Sequence, residues 1–241
     1  GDRDELLKYM PDLGVGTIVD VSATYESCEK VLALAGKYPH VYAAIGVHPD
    51  EVGELNEDKI QHMKELCCNK KVVAVGEIGL DYYWDNEPHE VQQKWFIRQL
   101  ELAGEVKKPV IIHSREAAAD TMYIMKNYAQ GLGGVIHCYS YSREMAEEYV
   151  KMGFYIGIGG VVTFKNAKKL KDVAAAIPIE KIVLETDCPY MAPEPYRGKR
   201  NQSSYIQYVA EKIAELKEMS PEEVIAVTEK NARDLYNLTE V

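Results

Sequence analysis

Five apolar runs in this chain each end on an imidazole or a carboxylate. Ile45-Gly46-Val47 ends in His48-Pro49, Val73-Ala74-Val75-Gly76 in Glu77, and Val110-Ile111-Ile112 in His113. Val135-Ile136 ends in His137, and Ile182-Val183-Leu184 in Glu185-Thr186-Asp187. A single His or Glu at such a place is more often a cap or a local hydrogen-bond partner. As a set, Glu77, His113, His137 and Asp187 offer the mixed nitrogen and oxygen donors that suit zinc, manganese or iron, and with added waters magnesium. A carboxylate can bridge two ions, and a two-ion site can hold both the attacking and the leaving oxygen of a phosphodiester. The expected cofactor is one or two divalent ions (Mg, Mn or Zn). His48 is read three ways: as a ligand, as a substrate contact, or as a structural residue beside Pro49.

These residues need elements to position them. Strand-like runs fall at 17–21, 41–47, 72–76, 110–113, 135–137, 154–158 and 182–184, several of them almost wholly apolar, as in strands buried on both faces. Amphipathic stretches at 27–38, 59–68, 90–106, 117–128, 143–152 and 167–176 lie between them, and two more follow at 204–217 and 221–235. Ser220-Pro221-Glu222-Glu223 has the capping Ser, first-position Pro and third-position Glu of a helix start. Such alternation predicts βαβ units, a parallel sheet and a single domain over residues 1–241. In a barrel the C-terminal strand ends meet at one mouth, whereas an open sheet spreads them along an edge. The strand-end residues therefore favour a TIM (β/α)8 barrel. Only seven strands are counted, and a helix at 3–12 has no strand before it, so the first barrel strand is expected to be missing.

The composition allows this. The chain has 241 residues, 46% of them hydrophobic, enough for a sizeable core. No apolar run approaches the ~20 residues of a membrane span, and with the polar opening Asp2-Arg3-Asp4-Glu5 no secretory signal is expected. Five cysteines without regular spacing do not form a disulfide framework, so reduced thiols, a cytoplasmic location and no membrane partner are expected. Cys138 and Cys188 each follow a proposed ligand and are expected to pack. A net charge of −10 argues against broad coating of nucleic acid but leaves room for a local grip.

Such a grip is found after the last strand. Arg197, Lys199 and Arg200 crowd four positions of a loop that ends at Asn201. A charged loop is usually only solvated, but this one leaves the same end of the fold as Asp187, which makes it a candidate phosphate contact. Arg115, two residues after His113, is another. Tyr82, Tyr83 and Trp84 either stack on bases or pack over the rim. His40, His62 and His89 read as solvated.

These stretches resemble the TatD family of metal-dependent deoxyribonucleases, within the amidohydrolase-like barrels. The matching runs are GVHP at 46–49, GEIGLDYYW at 76–84, PVIIHSREA at 109–117, HCYS at 137–140, IVLETDCPY at 182–190 and APEPYRGKRN at 192–201. The likeness covers essentially the whole chain. It implies hydrolysis of DNA phosphodiesters, often as a 3′→5′ exonuclease, by a monomer acting on single strands or 3′ ends. It makes Glu77 a bridging ligand and gives one ion to His113 and His137. Asp187 becomes a ligand that also orients or deprotonates the attacking water. His48 stands near the scissile phosphate. From their own charge and position, Arg115, Arg197, Lys199, Arg200 and Asn201 are the expected substrate contacts. The family opens with a strand ending in a His-x-His pair, which this sequence lacks at the place where counting finds no strand. Single-ion occupancy and impaired hydrolysis follow as expectations. Competing readings keep the barrel but change the substrate to an ester, lactone or amide, or keep only a binding role.

Overall fold

The computed structural model describes residues 2–84 and 86–238. The chain forms two compact units, one running through Asp12 and then Gly16–Gly134, the other comprising Leu13–Val15 and the chain from Val135 onward.

In the first unit α1 (Arg3–Tyr9) precedes β1 (Ile18–Val21), α2 (Tyr25–Lys37), β2 (Val41–Ile45), α3 (Glu57–Leu66), β3 (Val72–Asp81), α4 (His89–Val106), β4 (Val110–Arg115) and α5 (Ala118–Tyr128). The four strands pair in chain order, all parallel. Two of these helices begin on side-chain caps. Thr24 and Ser27 exchange side-chain and backbone bonds at the start of α2, and Asn56 accepts from the Lys59 N–H at the start of α3. The leading helix α1 buries none of its residues and is fastened by Lys37 on Asp4 at 2.7 Å.

The second unit contains β5 (Gly134–Ile136), α6 (Arg143–Lys151), β6 (Tyr155–Ile158), α7 (Lys168–Ala176), β7 (Ile182–Leu184), α8 (Ile206–Lys217) and α9 (Pro221–Tyr236). Its strands β5, β6 and β7 pair in that order, again parallel. The helix start read at Ser220 is present as a full capping box with Glu223. Asn231 of α9 is buried and donates to the carbonyls of Ile179 and Ile182, both at 2.8 Å, tying the helix to the base of β7.

Among the described residues there are seven strands, as counted, and α1 stands before the first of them. Several strand bounds differ: β2 stops at Ile45 rather than Val47, β4 continues past His113 to Arg115, and β3 changes most. The 72–76 run continues through Glu77 to Asp81, so Glu77 lies inside β3 rather than at its end. The reason is a bulge. Val75 pairs with Val110 and Ile78 with Ile112, so three steps along β3 match two along β4, and the alternation of faces resets at Gly76-Glu77. No helix among the described residues is long and apolar enough to cross a membrane.

Candidate metal centre

The bulge sets the first unit's chemistry. Every residue of β3 is buried except Glu77, whose side chain is re-aimed where the register slips. Beyond it β3 and β4 run unusually close. A Cβ on Gly79, whose φ is +150°, would lie 1.9 Å from the His113 carbonyl oxygen. Only glycine fits there. This approach brings His113 between two carboxylates of the neighbouring strand: its Nδ1 is 2.8 Å from Glu77 Oε1 and its Nε2 3.0 Å from Asp81 Oδ2. His48 joins them, its ring centroid 4.3 Å from that of His113. Donor atoms of His48, Glu77 and His113 all lie within 4.8 Å of one another, and a second such group is His48, Asp50 and Asp81.

The backbone around this cluster is held by two buried glutamines of α4. Gln99 accepts from the Val47 N–H at 2.8 Å and donates to the Val47 carbonyl at 3.1 Å, fixing the residue before His48. Gln92 does the same to Asp81, both at 2.9 Å. Asp81 Oδ1 in turn accepts from the backbone of Tyr83 and Trp84. Burial alone raises the Asp81 pKa, but the bonds from His113 and these N–H groups outweigh it, and the carboxyl sits below its ordinary value. Asp50 moves the other way, pushed up to about 6 by burial and then by the charge of Asp81. Its buried Oδ1 has no hydrogen-bond partner among the described residues. A half-buried cluster of imidazoles and carboxylates with an unsatisfied oxygen beside it fits a divalent cation.

The second unit holds its histidine differently. His137 Nδ1 lies 2.8 Å from Glu185 Oε2, and Glu185 Oε1 accepts from the Cys138 N–H at 2.6 Å. His137 Nε2 is 3.8 Å from Asp187 Oδ1. Gly157 makes the room: a Cβ there would meet Glu185 Oε2 at 2.5 Å. Cys138 and Asp187 both adopt left-handed backbone, with φ 45° and 52°. Such residues cost about 1–3 kcal/mol each and persist where surrounding structure enforces them, commonly at functional sites.

A model of the TatD related DNase family matches residues 1–237. The chain belongs to the TatD family of metal-dependent hydrolases. The uncharacterized metal-dependent hydrolase YabD of Bacillus subtilis is 44% identical over 238 residues, covering 98% of this chain and 93% of YabD. The uncharacterized metal-dependent hydrolase YcfH of Escherichia coli K12 is 37% identical, covering 98% and 89%. The crystal structure of YJJV, a TatD homologue from Escherichia coli, superposes with a TM-score of 0.92 at 33% identity, covering 99% of this chain and 93% of YJJV. The fold is thus the α/β, TIM-barrel type of TatD structures.

The TatD motif residues separate by unit: Glu77, His113 and His48 gather in the first, and His137 and Asp187 in the second. Asp81, Asp50 and Glu185 were missed as site residues. Their signals were present, since Asp81 follows Glu77 by four residues in GEIGLD and Glu185 precedes Asp187 by two. Arg197, Lys199 and Arg200 are exposed, and the Arg197 guanidinium lies 4.3 Å from the Phe164 ring centre. Asn201, expected at substrate, is 2% exposed, and its carboxamide is used inside its own loop. It donates to the carbonyls of Thr186 and Tyr190 and accepts from the Gln202 N–H. Arg115 is half-buried, its guanidinium 3.7 Å from the Tyr83 ring centre.

Other expectations need correcting. All five cysteines are free, but Cys188 is exposed rather than packed. Two of the three histidines read as solvated are half-buried and bonded, His40 to the Leu7 carbonyl and His62 to the Tyr25 hydroxyl. His89 is exposed and stacks on Tyr82 with centroids 3.6 Å apart.

Proposed function

We propose that this TatD-family hydrolase cleaves DNA phosphodiester bonds as a 3′→5′ exodeoxyribonuclease, acting as a cytoplasmic monomer on single strands or 3′ ends with Mg, Mn or Zn. The observation that supports it most is the donor cluster of His48, Glu77 and His113 within 4.8 Å. The family model's own description, TatD related DNase, points the same way. When bound, a divalent ion supplies Lewis-acid polarisation of a phosphate and acidifies water. In the first unit Glu77 and His113 would hold it, and His48, the third donor of the cluster, would complete the site on the side of the phosphate. In the second unit His137 and Asp187 are ligands, and Asp187 also takes or orients the proton of the attacking water. The exposed cations Arg197, Lys199 and Arg200 hold the sugar–phosphate chain without reading its sequence. Asn201 serves the same end indirectly by shaping their loop.

The test is incubation of a 5′-labelled single-stranded oligonucleotide with the protein and Mn2+. Stepwise shortening from the 3′ end, abolished by EDTA and by Glu77→Ala, is expected. Replacing Arg197, Lys199 and Arg200 together by Ala should flatten the salt dependence of binding, by about 0.7 in log–log slope for each phosphate no longer neutralised. Intact DNA, with turnover of a carboxylic ester or lactone instead, would refute the proposal.

A further inference from the structure

Three consecutive aromatics leave the end of β3, and they do not share a fate. Tyr82 is half-buried: it stacks on His89, and its hydroxyl donates to Asp120 at 2.8 Å. Tyr83 and Trp84 stay in water, 54% and 57% exposed. Their rings meet at right angles, centroids 4.9 Å apart, and the Arg115 guanidinium lies 3.7 Å from the Tyr83 ring centre and 5.4 Å from that of Trp84. Rim packing therefore explains Tyr82 and leaves the other two unexplained.

Their backbone is held firmly. The N–H groups of Tyr83 and Trp84 both end on Asp81 Oδ1, at 2.9 and 3.3 Å. Asp81 is itself clamped by Gln92, and its other oxygen faces His113. Arg115 is Asp81's partner in the strand register, and its carbonyl accepts from the Tyr82 N–H at 2.9 Å. The group is thus tied through one carboxylate to the histidine of the candidate metal cluster. Two exposed flat rings and a guanidinium, pre-positioned beside a phosphodiester site, suit a ligand with a π face on one side and a negative charge next to it.

We propose that Tyr83, Trp84 and Arg115 form a stacking subsite for a nucleobase of single-stranded DNA, adjacent to the phosphate held at the His48–Glu77–His113 cluster. This rests on the phosphodiester reading above and adds to it the substrate's base. The base stacks on the exposed indole, Tyr83 forms the wall at right angles, and Arg115 braces that wall and meets the neighbouring phosphate. Every base has a π face, so the subsite favours single strands without choosing a sequence.

The chain contains two tryptophans, and the other, Trp95, is 6% exposed, so quenching of emission by a base reports Trp84. The probes are an eight-residue oligothymidylate and an eight-residue abasic deoxyribose-phosphate chain, both titrated in EDTA. Oligothymidylate should quench and the abasic chain should not. Read by the fluorescence anisotropy of a 5′-fluorescein label on each probe, Tyr83→Ala with Trp84→Ala should weaken oligothymidylate binding by roughly 5- to 150-fold, the usual worth of one stacked base, and leave abasic binding unchanged. Equal losses for both probes, no quenching, or no binding of oligothymidylate would overturn the subsite. Hydrolysis with Mn2+ is scored separately. Uncleaved oligothymidylate that still quenches would end the nuclease reading and leave the subsite standing.

Discussion

The two units treat their histidines in opposite ways. His113 has a carboxylate within bonding distance of each ring nitrogen, Glu77 on one side and Asp81 on the other. Glu185 lies 2.8 Å from His137 Nδ1, while Asp187 lies 3.8 Å from its Nε2. The surroundings differ as well. Asp81 is almost wholly buried, whereas the Glu185 side chain keeps 16% of its exposure. The first arrangement brings several carboxylates close together, Glu77 and Asp81 on His113 and Asp50 beside His48. The second fixes the tautomer of an imidazole through one carboxylate, the usual way a protein aims a metal-binding histidine. The first unit thus crowds carboxylates around its imidazole, whereas the second orients its imidazole through Glu185.

The sharpest way to break this contrast is to remove each imidazole. His113→Ala strands a buried carboxylate beside Glu77 and should cost about 2–4 kcal/mol in metal-free protein, because water cannot replace the missing imidazole. His137→Ala leaves Glu185 with water access and the Cys138 N–H, and should cost about 1–2 kcal/mol. Urea unfolding in EDTA measures both, and equal or reversed costs would remove the distinction. A smaller effect sharpens the other half. Glu185→Gln keeps the shape but can offer His137 Nδ1 a donor in place of an acceptor, favouring the tautomer whose proton sits on Nε2. Metal affinity or activity should fall about 10–100-fold, typical of removing such an orienting partner. Stability should change little, and unaltered affinity would mean that Glu185 only caps the Cys138 backbone.

Much of this was legible in the residues. Apolar runs ending on His or an acid pointed to all five candidates, though only His137 directly follows its strand's last residue: His48 and Asp187 lie three residues beyond β2 and β7, and Glu77 and His113 lie inside β3 and β4. Glu77 was found for a partly wrong reason. It lies within β3, and the strand was ended at Gly76 because the bulge breaks alternation and the glycines serve strand approach. Asp81 vanished with that misread boundary. Gln92 and Gln99 were illegible for another reason: on a helix pattern a glutamine reads as solvent-facing, and nothing local tells that it clasps a strand backbone distant in sequence. The partners of Asn201 were not legible either, because nothing in the sequence shows that its carboxamide satisfies its own loop's carbonyls. The exposure of Tyr83 and Trp84 against the burial of Tyr82 depends on Asp81 turning the chain, which only the three-dimensional arrangement reveals.

The most direct measurement is Mn2+ titration of EDTA-stripped protein, followed by the decrease of the free-ion electron paramagnetic resonance signal. Wild-type protein should bind Mn2+, and Glu77→Ala, with its fold checked by circular dichroism, should lose the ion held by the first unit and lower the stoichiometry. Mn2+ bound with unchanged affinity and stoichiometry after Glu77→Ala would contradict the assignment of His48, Glu77 and His113 as the metal centre.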